Sequence, residues 1–138
     1  MNKLEIEELY GFERVGEWKS DERSKSGITF ELEKFKGNRV IYAFVVDSEV
    51  KYIGVCENTT TTLKDRMSRY KNLQGGGTNE RIAKEIKTCL KQGKSVKIFA
   101  FRPPASEYKY KDLNIDLVKG LENPLIEKLK PAWNIQNK

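Results

Sequence analysis

The sequence predicts a single-domain α+β fold of the mixed α/β kind, with the element order β-β-α-α-β-α. Three observations predict it. Two β-type runs, Val40-Ile-Tyr-Ala-Phe-Val-Val46 and Val50-Lys-Tyr-Ile-Gly-Val-Cys56, flank the turn residues Asp47-Ser48-Glu49 and spell a hairpin. Three later segments repeat apolar residues at helical spacing. The chain has 138 residues, 38% of them hydrophobic, enough for one modest core.

Residues 1 to 39 are heavily charged and weakly periodic, with one short extended piece, Gly27-Ile-Thr-Phe-Glu-Leu-Glu-Lys34, that alternates apolar and charged side chains. This segment reads as an arm or cover on a domain formed by residues 40 to 138. The continuous apolar character of the hairpin predicts strands covered on both faces. Thr59-Thr-Thr-Thr62 can N-cap a short helix that places Leu63, Met67 and Tyr70 on one side. Gln74-Gly-Gly-Gly-Thr78 then reads as a flexible loop; it has neither the Lys-Ser/Thr nor the preceding strand of a phosphate-binding loop. Asn79 to Gln92 predicts an amphipathic helix with Ile82, Ile86, Cys89 and Leu90 inward, closed by Gly93. Val96-Lys-Ile-Phe-Ala-Phe101 is a third strand, stopped by Pro103-Pro104, and Ser106 to Lys111 a polar, Tyr-rich loop. The last helix, from about Asp116 to Lys130, should bury Leu117, Leu121, Leu125 and Leu129, with Pro124 kinking or splitting it.

Composition narrows the chemistry. Lys and Arg number 26 against 20 Asp and Glu, a net charge of +6 that suits a polyanionic partner. No apolar run approaches the ~20 residues of a membrane span, and the start Met-Asn-Lys-Leu-Glu-Ile-Glu-Glu has no apolar signal region, so the expected location is cytoplasmic with no membrane partner. Cys56 and Cys89 lack metal-site spacing and read as reduced structural thiols. The chain contains no histidine, which excludes Ser-His-Asp and Cys-His nucleophile arrangements and HExxH zinc sites. Proton transfer is left to Tyr, Lys, Glu, Asp, Cys or water.

On the hairpin, Tyr42 and Tyr52 can lie side by side, and Tyr52 is followed by Ile53-Gly54. Arg66 precedes Tyr70 by four residues, which puts both on one helical face. Glu122 lies on the last helix, twelve residues before Asn134. These elements, over residues 40 to 138, resemble the GIY-YIG nuclease family. Val40-Ile41-Tyr42 stands where the family has its GIY, with Val in place of the first glycine; Tyr52-Ile53-Gly54 is its YIG outright, with Gly54 the structural glycine. The ending Pro131-Ala-Trp-Asn134 is similar to the phage endonuclease II branch and related small restriction endonucleases.

The resemblance implies a three-stranded antiparallel sheet flanked by helices and a metal-dependent endonuclease. It would hydrolyse double-stranded DNA to 5′-phosphate and 3′-hydroxyl ends. It also implies Tyr42, Tyr52, Arg66, Tyr70, Glu122 and Asn134 as site residues, with Glu122 the ligand of Mg²⁺ or Mn²⁺. Arg69 rivals Arg66, because the stretch after Gly54 is longer than in compact members. Glu127 rivals Glu122, and the spacing to Asn134 favours the latter. Asn134 fits a structural role, holding the chain terminus against the site.

Phosphodiester hydrolysis needs charge stabilisation at the phosphoryl oxygens and a proton acceptor for the attacking water. Arg66 offers the planar fork, Glu122 a hard oxygen, and Tyr42 the proton acceptor, given neighbouring positive charge to lower its pKa from ~10. Lys64, Arg69, Lys71, Arg81 and Lys84 form a basic flank for DNA phosphates, with residues 1 to 39 as a further contact. One site per chain and two strands to cut argue for a homodimer or homotetramer. The alternatives are a nuclease-derived DNA-binding module that has lost cleavage, and a structural or RNA-binding α+β domain.

Overall fold

The computed structural model describes residues 2–34, 37–57, 60–104 and 108–135. Thr59 of the expected N-cap run, Ser106 of the expected polar loop and residues 136–138 of the expected domain lie outside them. The elements are α1 (Lys3–Tyr10), β1 (Glu13–Ser20), β2 (Ile28–Leu32), β3 (Val40–Val46), β4 (Glu49–Cys56), α2 (Leu63–Lys71), α3 (Gly77–Lys91), β5 (Val96–Phe101), β6 (Lys109–Tyr110), β7 (Leu113–Asn114) and α4 (Leu117–Leu129). Within this list β3-β4-α2-α3-β5-α4 is the order expected, and the fold is α+β.

The main sheet has five strands, ordered β2-β1-β5-β3-β4, with every neighbouring pair antiparallel. Residues along β3 alternate between two cores. Tyr42, Phe44 and Val46 face α2 and α3, with Met67, Tyr70, Ile82 and Ile86. Ile41, Ala43 and Val45 face α1 and α4, with Ile6, Val118, Leu125 and Leu129. A strand flanked by strands and covered on both faces should be apolar throughout, and all of β3 is buried. The hairpin turns at Asp47 and Ser48, both at positive φ (48° and 91°), the two-residue geometry whose twist matches the strands it joins.

Two of the five strands come from the segment expected to be an arm. The sheet and both cores cross residue 40: Val15, Trp18 and Ile28 join the α2–α3 side, Ile6 and Phe12 the other. The pattern of β1 is obscured by a bulge between Arg14 and Gly16. That irregularity puts Val15 and Trp18, three apart, into the same core, a spacing a regular strand sends to opposite faces. The charges of β1 pair with one another and with the β2 segment, Arg14 with Glu17 and with Glu33 just past β2, and Lys19 with Glu31, all at 3.2 Å.

The helices depart from expectation at their edges. Gly76 caps α3, which begins at Gly77, and Ala83 joins Ile82 and Ile86 inside while Cys89 and Leu90 are half-buried. On α4, Val118 is buried and Leu117 and Leu121 only partly. This helix runs unsplit through Pro124, because that proline lies on its exposed side and buried Leu125 and Leu129 anchor the next turn. Cys56 and Cys89 are both free thiols. No helix among the described residues is long and apolar enough to cross a membrane.

Candidate active site

The site begins with a missing side chain. In the β3–β4 ladder Tyr42 is paired with Gly54 and Phe44 with Tyr52, so the two motif tyrosines are diagonal neighbours, with ring centroids 6.4 Å apart. A Cβ at Gly54 would collide with Cζ, Cε2 and the hydroxyl of Tyr42. The glycine of Tyr52-Ile53-Gly54 therefore exists to let the Tyr42 ring cross the face of β4.

Helix α2 closes over these rings. Thr62 accepts a hydrogen bond from the Asp65 N–H at 3.0 Å, and the Thr62 N–H donates to the Asp65 carboxylate at 3.1 Å, a capping box that sets where the helix starts. Leu63, Met67 and Tyr70 then point inward. The hydroxyls of Tyr70 and Tyr42 are hydrogen-bonded at 2.6 Å, and Trp18 and Phe44 meet Tyr70 edge-on. Arg66, one turn earlier, lies with Cζ 5.7 Å from the Tyr70 ring centroid. Its Nε is buried without a partner, an N–H donor of the kind that folded proteins rarely leave unused. Of the two arginines on this helix, Arg66 is the one on the tyrosines.

Electrostatics distinguishes the groups. Burial raises the pKa of Tyr42 above the usual phenol value, Tyr52 adding to the effect, and the opposing pull of Arg66 and the Tyr70 hydrogen bond is outweighed. Positive charge alone therefore does not make Tyr42 acidic here. Tyr70 is raised as well, again by burial first. The oxygen of Tyr42, ahead of those of Tyr70 and Tyr52, favours the charged form of Arg66 over the effect of its burial.

Glu122 arrives from the opposite face of the sheet, on α4. Its half-buried carboxyl titrates above the usual carboxylate value, raised by desolvation and then by Glu57, and lowered by Arg66 and Lys119. Arg66 on α2 and Glu122 on α4 are thus coupled electrostatically across the sheet, whose edge strand on this side is β4. Asn134 sits on the same strand: its Oδ1 accepts from the Ile53 N–H at 2.9 Å, and its Nδ2 donates to the Ile53 carbonyl at 3.0 Å. One side-chain amide thus satisfies the outward-facing N–H and C=O of an edge-strand residue. The Trp133 N–H donates to the Lys51 carbonyl at 2.8 Å, so the C-terminal segment runs beside β4.

The basic residues divide. Lys64 and Lys84 are exposed, Arg69 and Lys71 half-exposed. Arg81 donates to the Trp133 carbonyl at 2.9 Å, which ties α3 to the C-terminal segment. Three groups near the site have no motif to reveal them: Glu57 just past β4, and Arg39 and Asp116, which form an ion pair at 2.7 Å. The N-cap position of Asp116 before an apolar helix was the one available signal.

Neither a protein-family model nor a curated protein matches the chain. Solved structures do. A mutant of bacteriophage T4 EndoII superposes with a TM-score of 0.73 at 23% identity, covering 98% of this chain and 99% of that one. The chain has the EndoII fold. Restriction endonuclease HPY188I, in complex with product DNA, matches with a TM-score of 0.56 at 20% identity, over 93% of this chain and 79% of that one. Because the match to EndoII runs nearly end to end, the segment before residue 40 is part of what the EndoII fold shares, in keeping with its two strands in the common sheet.

Proposed function

We propose that the chain is a divalent-metal-dependent endonuclease that hydrolyses phosphodiester bonds of double-stranded DNA to 5′-phosphate and 3′-hydroxyl ends. The observation that carries this reading is Arg66, held against the Tyr42–Tyr70 pair with a buried, unpartnered Nε and coupled electrostatically to the Glu122 carboxylate. The fold likeness supports it, since EndoII and HPY188I are endonucleases and the latter was solved with product DNA.

Each group has a task suited to its chemistry. Arg66 is always charged and planar, and its guanidinium can stabilise a phosphoryl oxygen as charge develops there. Tyr70 keeps the guanidinium in place and fixes the Tyr42 hydroxyl. Tyr42 is the proton acceptor for the attacking water; with its pKa raised, it is a strong base present in small amount, and its share grows with pH. Tyr52, 7% exposed, lines a cleft with Thr78, Arg81 and Asn134 and can orient water or phosphate. Asn134 holds the strand that carries Tyr52 and Gly54.

The donor set fits Mg²⁺ or Mn²⁺. Glu122 is a hard oxygen ligand whose charge is disfavoured by burial and by Glu57, a condition a cation relieves. Among the described residues no three carboxylate or thiol side chains converge, so water and phosphate would fill most positions, as Mg²⁺ prefers. The ion would supply Lewis-acid stabilisation of the phosphoryl and leaving oxygens. Lys64, Arg69, Lys71 and Lys84 serve the DNA backbone, and cutting both strands calls for two copies of the chain.

Incubation with supercoiled plasmid tests the proposal. Nicking or linearisation with Mg²⁺, lost with EDTA and in Glu122→Ala while DNA binding persists, is the expected result. DNA binding without cleavage would support the binding-module alternative, and neither binding nor cleavage would refute both.

A further inference from the structure

Arg39 stands immediately before β3, at φ 56°, a left-handed conformation that a non-glycine residue adopts at a cost. From there its guanidinium reaches two elements. Nη1 donates to the carbonyl of Glu57, just past the end of β4, at 2.7 Å. Nη2 donates to Oδ1 of Asp116 at 2.7 Å. That same Oδ1 is the N-cap of α4, accepting from the N–H groups of Val118 at 3.0 Å and Lys119 at 3.4 Å. One planar side chain therefore joins the entry to β3, the exit of β4 and the first turn of α4.

The rest of α4 is held by less directional contacts. Val118, Leu125 and Leu129 pack into the core, and apolar packing tolerates small slides and rotations better than short charge-assisted hydrogen bonds do. The first turn and the Arg39–Asp116 pair border an open cleft of about 560 Å³, lined also by Arg102, Pro103, Ile115 and Leu117. Glu122 lies six residues beyond Asp116, ~9 Å along the helix axis. Tyr42 is three residues beyond Arg39 on β3, and Glu57, which faces Glu122 electrostatically, has its backbone held by the same guanidinium.

We infer that Arg39 is a positioning residue: its bridge from Glu57 to Asp116 sets the placement of α4, and thereby of the Glu122 carboxylate relative to Arg66 and Tyr42. The inference rests on the reading of Glu122 as the metal ligand. Its magnitude follows from that role, since loss of groups that orient a metal ligand costs ~10–100-fold in metal affinity or activity.

The test compares Arg39→Ala, Arg39→Lys and Asp116→Asn with the parent protein. Asp116→Asn keeps an N-cap acceptor while removing the charge that Arg39 pairs with. Mn²⁺ binding is followed by electron paramagnetic resonance with a nicked product duplex present, alongside the Mg²⁺ needed for half-maximal plasmid nicking and the melting temperature. The expected result is a loss of at least ~10-fold in both metal measures for Arg39→Ala and Asp116→Asn, out of proportion to any change in melting temperature, with Arg39→Lys between them and the parent. Unchanged metal binding in Asp116→Asn and Arg39→Lys would overturn the inference even if Arg39→Ala failed to fold. Mn²⁺ binding that survives Glu122→Ala would instead overturn the assignment of Glu122, and the inference with it.

Discussion

Replacing Gly54 by alanine puts a methyl group where the Tyr42 ring already lies, in contact with its Cζ, Cε2 and hydroxyl. The ring has little room to retreat: Tyr42 is fully buried, packed against Phe44 and Tyr52, and its hydroxyl is bonded to Tyr70 at 2.6 Å. Overpacking of a buried ring costs ~1–3 kcal/mol. A ring pushed aside also breaks the Tyr42–Tyr70 bond with both hydroxyls buried, a further ~1–2 kcal/mol. The sum is ~2–5 kcal/mol, which for a domain of this size lowers the melting temperature by ~6–15 °C. Urea unfolding of Gly54→Ala, Tyr42→Phe and the double variant measures it. Tyr42→Phe removes one of the colliding atoms, so the double variant should be more stable than the sum of the singles by ~1 kcal/mol. A Gly54→Ala protein within ~0.5 kcal/mol of the parent, or strict additivity with Tyr42→Phe, would refute the steric account.

Three further outcomes are expected. Because the folded pKa of Glu122 lies above its ordinary 4.5, the folded state holds this proton more tightly than the unfolded chain, and stability falls as pH rises from the unfolded value through the folded one. Glu122→Gln should therefore raise the melting temperature at pH 7 and leave it nearly unchanged near pH 4; equal shifts at both would contradict the assignment. Asn134→Ala leaves the Ile53 N–H and carbonyl without their partner and should cost ~1–3 kcal/mol in urea unfolding; Asn134→Asp keeps the acceptor for the N–H but sets a charged acceptor against the carbonyl, and should cost at least as much. If Tyr42, with its raised pKa, is the proton acceptor, single-turnover cleavage should climb about tenfold per pH unit from pH 7 to 9; a plateau near neutrality would assign that proton elsewhere.

What the chain alone made legible is short in range. The β3–β4 hairpin, the capped start of α2, and the helices carrying Arg66 and Glu122 follow from apolar spacing and turn residues within a dozen positions. The motif residues Tyr42, Tyr52, Arg66 and Tyr70 could be named only through the resemblance to the GIY-YIG pattern; backbone periods placed Arg66 and Tyr70 on one helical face and the two tyrosines on paired strands, but assigned none of them a role.

Only the tertiary structure decided the rest. A single bulge at Val15 broke the alternation that would have marked β1, so the charged N-terminal segment concealed two strands of the sheet. The order β2-β1-β5-β3-β4 makes β4 an edge, whose outward Ile53 backbone groups are taken up by Asn134. Arg81 is paired with Trp133, 52 residues away, and Arg39 with Asp116, 77 away. No local pattern predicts either partner, because an exposed charge satisfies water in the unfolded chain equally well, and its choice of neighbour is made only when the sheet brings distant segments together.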